Sequence, residues 1–316
     1  MPHAEYRQLQ YGSYTVALIC PLKIELQAAR GMLDEEHEPL PRQRGDPNTY
    51  VLGTMSGHNV VLTSLPADGY VPTASVAVNL IRTFTQTKLC LLVGIGGGVP
   101  SMMHDIRLGD VVVSDPRGTT GGVIQYDYGK ATVHGFKLKG QVCPPPEVWR
   151  AVVDAMNSNH RTRPNRIGEF ISDMRQRNPR LRDIHRPPPE TDVLFDAGCV
   201  HVTQDGTCAD CDTSMAIVRP QRASPHESKI HYGLIASGDR IIRNGVKRDE
   251  LARQAGGALC FETEAAGVMV GLRCMVIRGI ADYCDSHKNN DWNGYAAAAA
   301  AALAKEILTY VRPGYM

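Results

Sequence analysis

The chain has 316 residues, 43% hydrophobic and 21% charged, with a formal net charge of +1. That length can bury a sizeable core, as one large α/β domain or two small ones, and the near-zero charge argues against nucleic acid or a membrane as partner. The N-terminal residues lack the pattern of a secretory signal, no apolar run approaches the roughly 18 residues of a membrane span, and nine scattered cysteines fit reduced thiols, so a cytoplasmic protein is expected.

The first predicted element is the short strand YTVALIC, followed by helical apolar spacing at Leu22, Leu26, Ala29 and Leu33. NTYVLGTMSGHNVVLTSLP reads as a hairpin about Ser56-Gly57-His58, and SVAVNLIRTF as a helix. KLCLLVGIGGGVP is a buried strand ending in a glycine loop, and DIRLGDVVVSD gives another strand. GGVIQYDYG and FKLKG form a turn-rich strand section. HYGLIASGD, ALCFET and CMVIRGIADYCD are three more buried strands, separated by helical stretches. A run of seven alanines, in YAAAAAAALAKEILTYV, predicts the last helix. Buried strands alternating with helices indicate an α/β sheet whose site lies where strands end.

From about 160 to 228 the rhythm breaks, and an irregular insertion rich in Arg, Pro and Cys is expected within a single domain spanning 1–316. Between Arg161 and Arg186, eight arginines face only Glu169, Asp173 and Asp183. This stretch reads either as a solvated surface excursion or as a basic flap for phosphate.

The glycine segment Gly94-Ile95-Gly96-Gly97-Gly98 is not a dinucleotide fingerprint, because Val99 stands where the last glycine belongs. No Lys-Ser/Thr pair follows, so a P-loop is excluded too. Four acids are more telling. Glu25 follows the first strand, Glu262 and Glu264 follow a later one, and Asp282 comes directly after MVIRGIA. Singly, each also suits a helix start or cap. If those strands are parallel neighbours, the carboxylates ring one crevice.

VALICPLKIEL, VGIGGGVPSMMHDIRLGDVVVSD, GLIASGDRII, CFETEAAGV and VIRGIADYCD occur in this order along nearly the whole chain. Together they resemble the nucleoside phosphorylase and nucleosidase superfamily, most nearly its methylthioadenosine/S-adenosylhomocysteine nucleosidase branch. DSHKN at 285–289 adds a likeness to nucleosidase-like domains at the front of fungal multidomain proteins of immune-receptor type. The resemblance implies a phosphorylase/hydrolase-like α/β fold, a central mixed sheet flanked by helices.

It also implies roles. Glu264 binds the ribose hydroxyls, since an ionised carboxylate accepts from both donors of a cis-diol. Glu262 matches a second position near the ribose, and Thr263 stands between the acids where the family usually has methionine. Asp282 faces purine N7, where an acid with a raised pKa eases departure of the base, a contribution of roughly 10²–10⁴-fold. Ala281 precedes it, where the family usually has serine or cysteine. Glu25 falls on the position that activates water. Ile241 packs on the base and Ile242 offers backbone groups to its edge, while Ile95, Gly96 and Gly97 are further substrate-binding positions. Phosphorylases of the superfamily hold phosphate with arginines and a serine of the glycine segment. Leu92 and Ile95 at the matching places cannot neutralise a phosphate dianion, which favours water as nucleophile.

The expected activity is therefore hydrolysis of a purine, chiefly adenine, nucleoside or nucleotide. The alternatives are phosphorolysis and a non-catalytic module that senses a nucleotide or oligomerises. The expected partner is a small purine nucleoside or nucleotide, with Lys288 and the basic insert available to a 5′-phosphate chain. A homodimer or higher homo-oligomer is expected, and no cofactor. SHKNNDWNG reads as a lid or as an ordinary loop. Cys199-x-His201 with Cys208-x-x-Cys211 has the residue types of a tetrahedral zinc site, but equally suits free or disulfide-paired thiols, and no metal is assigned to the site.

Overall fold

The computed structural model describes residues 7–66, 69–116, 120–133, 135–141, 144–202, 208 and 211–313. It begins with β1 (Val16–Ile19), wholly buried, and α1 (Lys23–Gly31). The short β2 (Glu35–Glu36) pairs with β3 (Tyr50–Met55), which turns back into β4 (His58–Thr63). Ser56 and Gly57 make that turn with φ of 49° and 80°, the left-handed pair a two-residue hairpin requires. Next come α2 (Tyr70–Thr83), β5 (Leu89–Gly98), β6 (Val111–Ser114) and the antiparallel ribbon of β7 (Val123–Thr132) and β8 (Gly135–Gln141). Two helices follow, α3 (Glu147–His160) and α4 (Ile167–Arg177), then a long turn-rich stretch. The chain closes with β9 (Ile230–Gly233), β10 (Ile235–Ser237), α5 (Gly245–Gln254), β11 (Cys260–Glu262), α6 (Ala265–Val268), β12 (Met275–Asp282) and α7 (Asn293–Thr309).

The strands form one mixed sheet with the order β2-β3-β4-β1-β5-β11-β10-β7-β8, to which β12, β6 and β9 add a branch at β5. β5 is the hub. Leu89–Leu92 pair in parallel with β1, Leu91–Gly97 in parallel with β12, and Gly97–Gly98 antiparallel with β11. The expectation of three parallel neighbours therefore needs correction. β1 and β12 share a direction on either side of β5, whereas β11 runs against them.

Two other expectations change. The glycines after Val93 form no loop, because Gly94 to Gly98 continue β5 as paired strand. HYGLIASGD is two strands broken at Leu234, β9 pairing with β6 and β10 with β7 and β11.

α7 covers the sheet, and Ala296 to Ala302 are all buried. Propensity permits alanine there, but close approach demands it. A Cβ on Gly279 of β12 would lie 1.9 Å from the Ala296 carbonyl oxygen, so the helix backbone rests directly on the strand. The predicted irregular insert begins regularly, since α4 buries Ile167, Phe170, Ile171 and Met174 and packs on α7. Its arginines fasten it down. Arg177 donates to the Leu33 carbonyl at 2.6 Å, Arg219 to the Tyr283 hydroxyl at 2.9 Å, and Arg222 to Asp110 at 2.7 Å. Among the described residues, no helix is long and apolar enough to cross a membrane.

Candidate active site

Each acid is set by the end of a strand. β1 stops at Ile19, Pro21 follows, and α1 starts with Glu25 in its first turn. There Glu25 Oε2 accepts the Leu22 N–H at 2.6 Å and Oε1 accepts the Ile95 N–H at 2.7 Å. The carboxylate thus joins the start of α1 to the glycine part of β5, and the helix dipole favours its charge. β11 ends at Glu262, whose Oε2 accepts the backbone N–H groups of Glu264 at 3.1 Å and Ala265 at 2.9 Å. β12 ends at Asp282, whose Oδ1 accepts the Cys284 N–H at 2.8 Å. Its other oxygen meets the Lys288 ammonium.

Arg278 sits among these acids, 1% exposed. Its Nη2 donates to Glu262 at 2.5 Å and Glu264 at 3.0 Å, and its Nη1 to the Ile95 carbonyl at 3.2 Å. Burial alone would lower the Arg278 pKa, but Glu262, Glu264 and Glu25 outweigh it and raise it. Burial pushes Glu25 up to about 8, against the pull of Arg278 and its two backbone donors, and nearby Glu264 pushes the same way. Glu25 therefore changes charge near neutral pH. Glu264, 5% exposed, also accepts from the Thr263 hydroxyl.

The glycines of β5 are explained here. A Cβ on Gly94 would lie 2.4 Å from Arg278 Nη1 and 2.5 Å from Glu25 Oε1. One on Gly97 would lie 2.1 Å from Cys284 Sγ and 2.7 Å from Asp282 Oδ1. The missing side chains make room for charged groups; a flexible backbone is not what they supply.

Glu25, Ile95, Gly96, Gly97, Ile241, Ile242, Glu262, Thr263, Glu264 and Asp282 all line one cavity of about 140 Å³. Ile242 is buried in its wall, and Ile241 stands 70% exposed at its rim. Arg278, which sequence reasoning passed over, lies beside them with Lys288 and Arg240. Its signal was an arginine inside the apolar run MVIRGIA, a position tolerable only with carboxylates waiting. Among the described residues lining the cavity, none comes from 160–228, so the insert's arginines do not reach it. Glu262 also lines the cavity, with Arg278 and two backbone amides on its oxygens.

A larger cleft of about 830 Å³ lies between α1 and the insert. Its three acids are not gathered as a buried set, Glu36 being paired with Arg30 at 2.6 Å and Asp183 and Asp291 being exposed. Chemistry therefore selects the smaller cavity. The SHKNNDWNG segment is anchored, because Trp292 is buried and its Nε1 donates to Thr191 at 3.1 Å.

Comparison with known proteins gives a consistent picture. Residues 15–312 match the family described as the phosphorylase superfamily. A nucleotide-binding leucine-rich repeat (NLR)-like protein of Hyaloscypha variabilis is 40% identical over 301 residues, which are 95% of this chain but only 30% of that relative. A 5′-methylthioadenosine/S-adenosylhomocysteine nucleosidase of Mycobacterium bovis is 23% identical over 93% of this chain and 95% of its own. Among solved structures, the corresponding nucleosidase of Neisseria meningitidis in complex with methylthio-immucillin-A superposes with a TM-score of 0.59 at 16% identity, over 94% of this chain and 99% of that one. Futalosine hydrolase of Helicobacter pylori does so with a TM-score of 0.59 at 15% identity, over 94% and 97%. Both likenesses are of fold.

Proposed function

The chain belongs to the phosphorylase superfamily, and on that footing we propose that it hydrolyses the N-glycosidic bond of a purine nucleoside or nucleotide, adenine being the favoured base. The observation that carries this reading is the meeting of Glu25, Glu264 and Asp282, from three separate strand ends, round one cavity. The nucleosidase names among the relatives support it.

In this reading Glu264 accepts hydrogen bonds from the ribose 2′- and 3′-hydroxyls, and Arg278 holds it in place. Asp282 serves N7 of the purine. As the C1′–N9 bond lengthens, its electron pair passes into the base, Asp282 in its acid form gives its proton to N7 to offset the charge, and C1′ becomes oxocarbenium-like. Glu25, which changes charge near neutral pH, takes a proton from water as the water oxygen bonds to C1′. Free purine and a sugar with a 1′-hydroxyl leave. Lys288 must yield Asp282 to the entering base. Arg278 is already countered by Glu262 and Glu264, so it offers little to a phosphate dianion, and water is the nucleophile.

The test is a panel of adenosine, inosine, guanosine, AMP and ATP, each with and without phosphate, with the sugar product identified. Free ribose or ribose phosphate without phosphate dependence is expected. Ribose 1-phosphate, formed several-fold faster with added phosphate, would establish phosphorolysis. The NLR-like relative, of which this chain spans 30%, favours a second reading, in which the domain binds a nucleotide for sensing inside a larger cytoplasmic protein. Tight binding of the whole panel with no base released would establish that. The hydrolase reading expects at least a dimer, a neighbouring subunit closing the 5′ side of the site, and light scattering on the purified chain measures this.

A further inference from the structure

The cysteine-histidine group of the insert lies beside the loop that follows β12. One donor atom each from His201, Cys208 and Cys211 lies within 4.8 Å of the others. Around a tetrahedral zinc ion, bonds of about 2.3 Å to sulfur and 2.1 Å to nitrogen set donors roughly 3.4–3.8 Å apart, so these three need only small side-chain rotations. Three ligands leave one corner open.

His287, outside the 4.8 Å group, borders that corner and could fill it after a side-chain movement. Its ring centroid is 5.3 Å from that of His201, with the planes at 67°. Two imidazoles bound to one tetrahedral ion place their centroids about 5.2 Å apart, from the same bond lengths. His287 is 8% exposed, and its Nδ1 is buried with no hydrogen-bond partner among the described residues. Asp285 Oδ1 lies 3.9 Å from that nitrogen. Metal-bound histidines typically turn their second nitrogen to a carboxylate, and Asp285 stands where that carboxylate belongs. Phe195 stacks flat on the ring at 3.9 Å and limits its orientation. Cys199 Sγ lies 3.8 Å from His287 Nε2, so a second thiol borders the same spot.

We propose that His201, Cys208, Cys211 and His287 bind a structural zinc ion that fastens the insert to the loop after β12. Four protein ligands leave no position for water, so the ion takes no part in the bond cleavage proposed above. Its effect is positional. Lys288, next to His287, contacts Asp282, and Ser286 on the same loop accepts the His201 N–H at 2.9 Å. The ion ties the segment that carries Lys288 to residues outside the cavity.

Elemental analysis of the full chain, purified under reducing conditions without chelator, is expected to give about one zinc per chain. Exchange for cobalt is expected to yield the visible bands of a tetrahedral ion and a thiolate charge-transfer band. Cys208→Ser and His287→Gln are each expected to lose most of the metal, and Cys199→Ser to keep it. Retention in His287→Gln with loss in Cys199→Ser would overturn the assignment of His287. Wild-type protein that holds no zinc as purified and takes up neither zinc nor cobalt would overturn the site, as would a Cys208–Cys211 disulfide found by mass spectrometry in freshly purified protein. The wild-type measurements do not depend on any variant folding, nor on base release.

Discussion

The Lys288 ammonium lies directly against the Asp282 carboxylate in the lining of the cavity. Asp282→Asn keeps the shape and the Cys284 contact through Oδ1 but removes the acid. Base release is expected to fall about 10²–10⁴-fold with little change in melting temperature. Steady-state kinetics checks this, and a loss smaller than three-fold would remove Asp282 from the mechanism. Lys288→Met frees Asp282 and is expected to change KM and kcat unequally, since the ammonium must move before the base can dock.

Glu25 sets the pH dependence. As the group proposed to take a proton from water it must be ionised, so the rate is expected to rise with pH through about 8, the value to which burial raises it. Glu25→Gln should abolish that rise along with most of the activity. Stability runs the other way. The folded-state pKa lies above the unfolded value of about 4.3, so stability is full below the latter and falls as pH climbs towards 8. Glu25→Gln is therefore expected to gain stability over wild type at pH 9 relative to pH 5, in urea titrations at both values.

Arg278 holds the acids together. Arg278→Met strands Glu262 and Glu264 as buried carboxylates without their cation, and a loss of about 3–5 kcal/mol is expected at neutral pH. A urea midpoint unchanged at pH 7 would contradict the role.

Asp110 carries the acid side of stability. Burial would raise its pKa, but hydrogen bonds from Arg222 and His231 outweigh that and hold it at about 2. With the unfolded value near 3.9, its contribution of about 2–3 kcal/mol is present above pH ~4 and is lost as pH falls towards 2. Asp110→Asn is expected to be less stable at pH 7 and to show a flatter acid limb in thermal melts against pH. Because Arg222 belongs to the insert, the same variant should also loosen that segment to proteolysis.

Much of the site was legible in the sequence because each acid follows an apolar strand, where an unpaired carboxylate is costly. Glu25, Glu264 and Asp282 stood out for that reason, and the hairpin at Ser56-Gly57 and the alanine helix came from local rules alone. Arg278 was hidden by the same pattern. One cation inside MVIRGIA reads as an interruption of a strand until its partners are known, and they lie 14 and 16 residues earlier and on α1. The glycines misled in a related way. Five residues rich in glycine read as a loop, since local rules cannot register that Arg278 and Glu25 crowd Gly94, or that Cys284 crowds Gly97. The arginines of the insert suggested phosphate, whereas Arg177, Arg219 and Arg222 are bound to carbonyls, a phenol and carboxylates of the core.

Periodicity, strand ends and the kinds of residue placed there are properties of short windows, so the alternating α/β plan and the acids could be read from the amino-acid order alone. Direction and partnership are not. That β11 opposes β5, that Glu262 is taken up by Arg278 and two backbone amides, and that His287 comes to face His201 depend on contacts between distant segments, which only the packed sheet and its covering helices bring together.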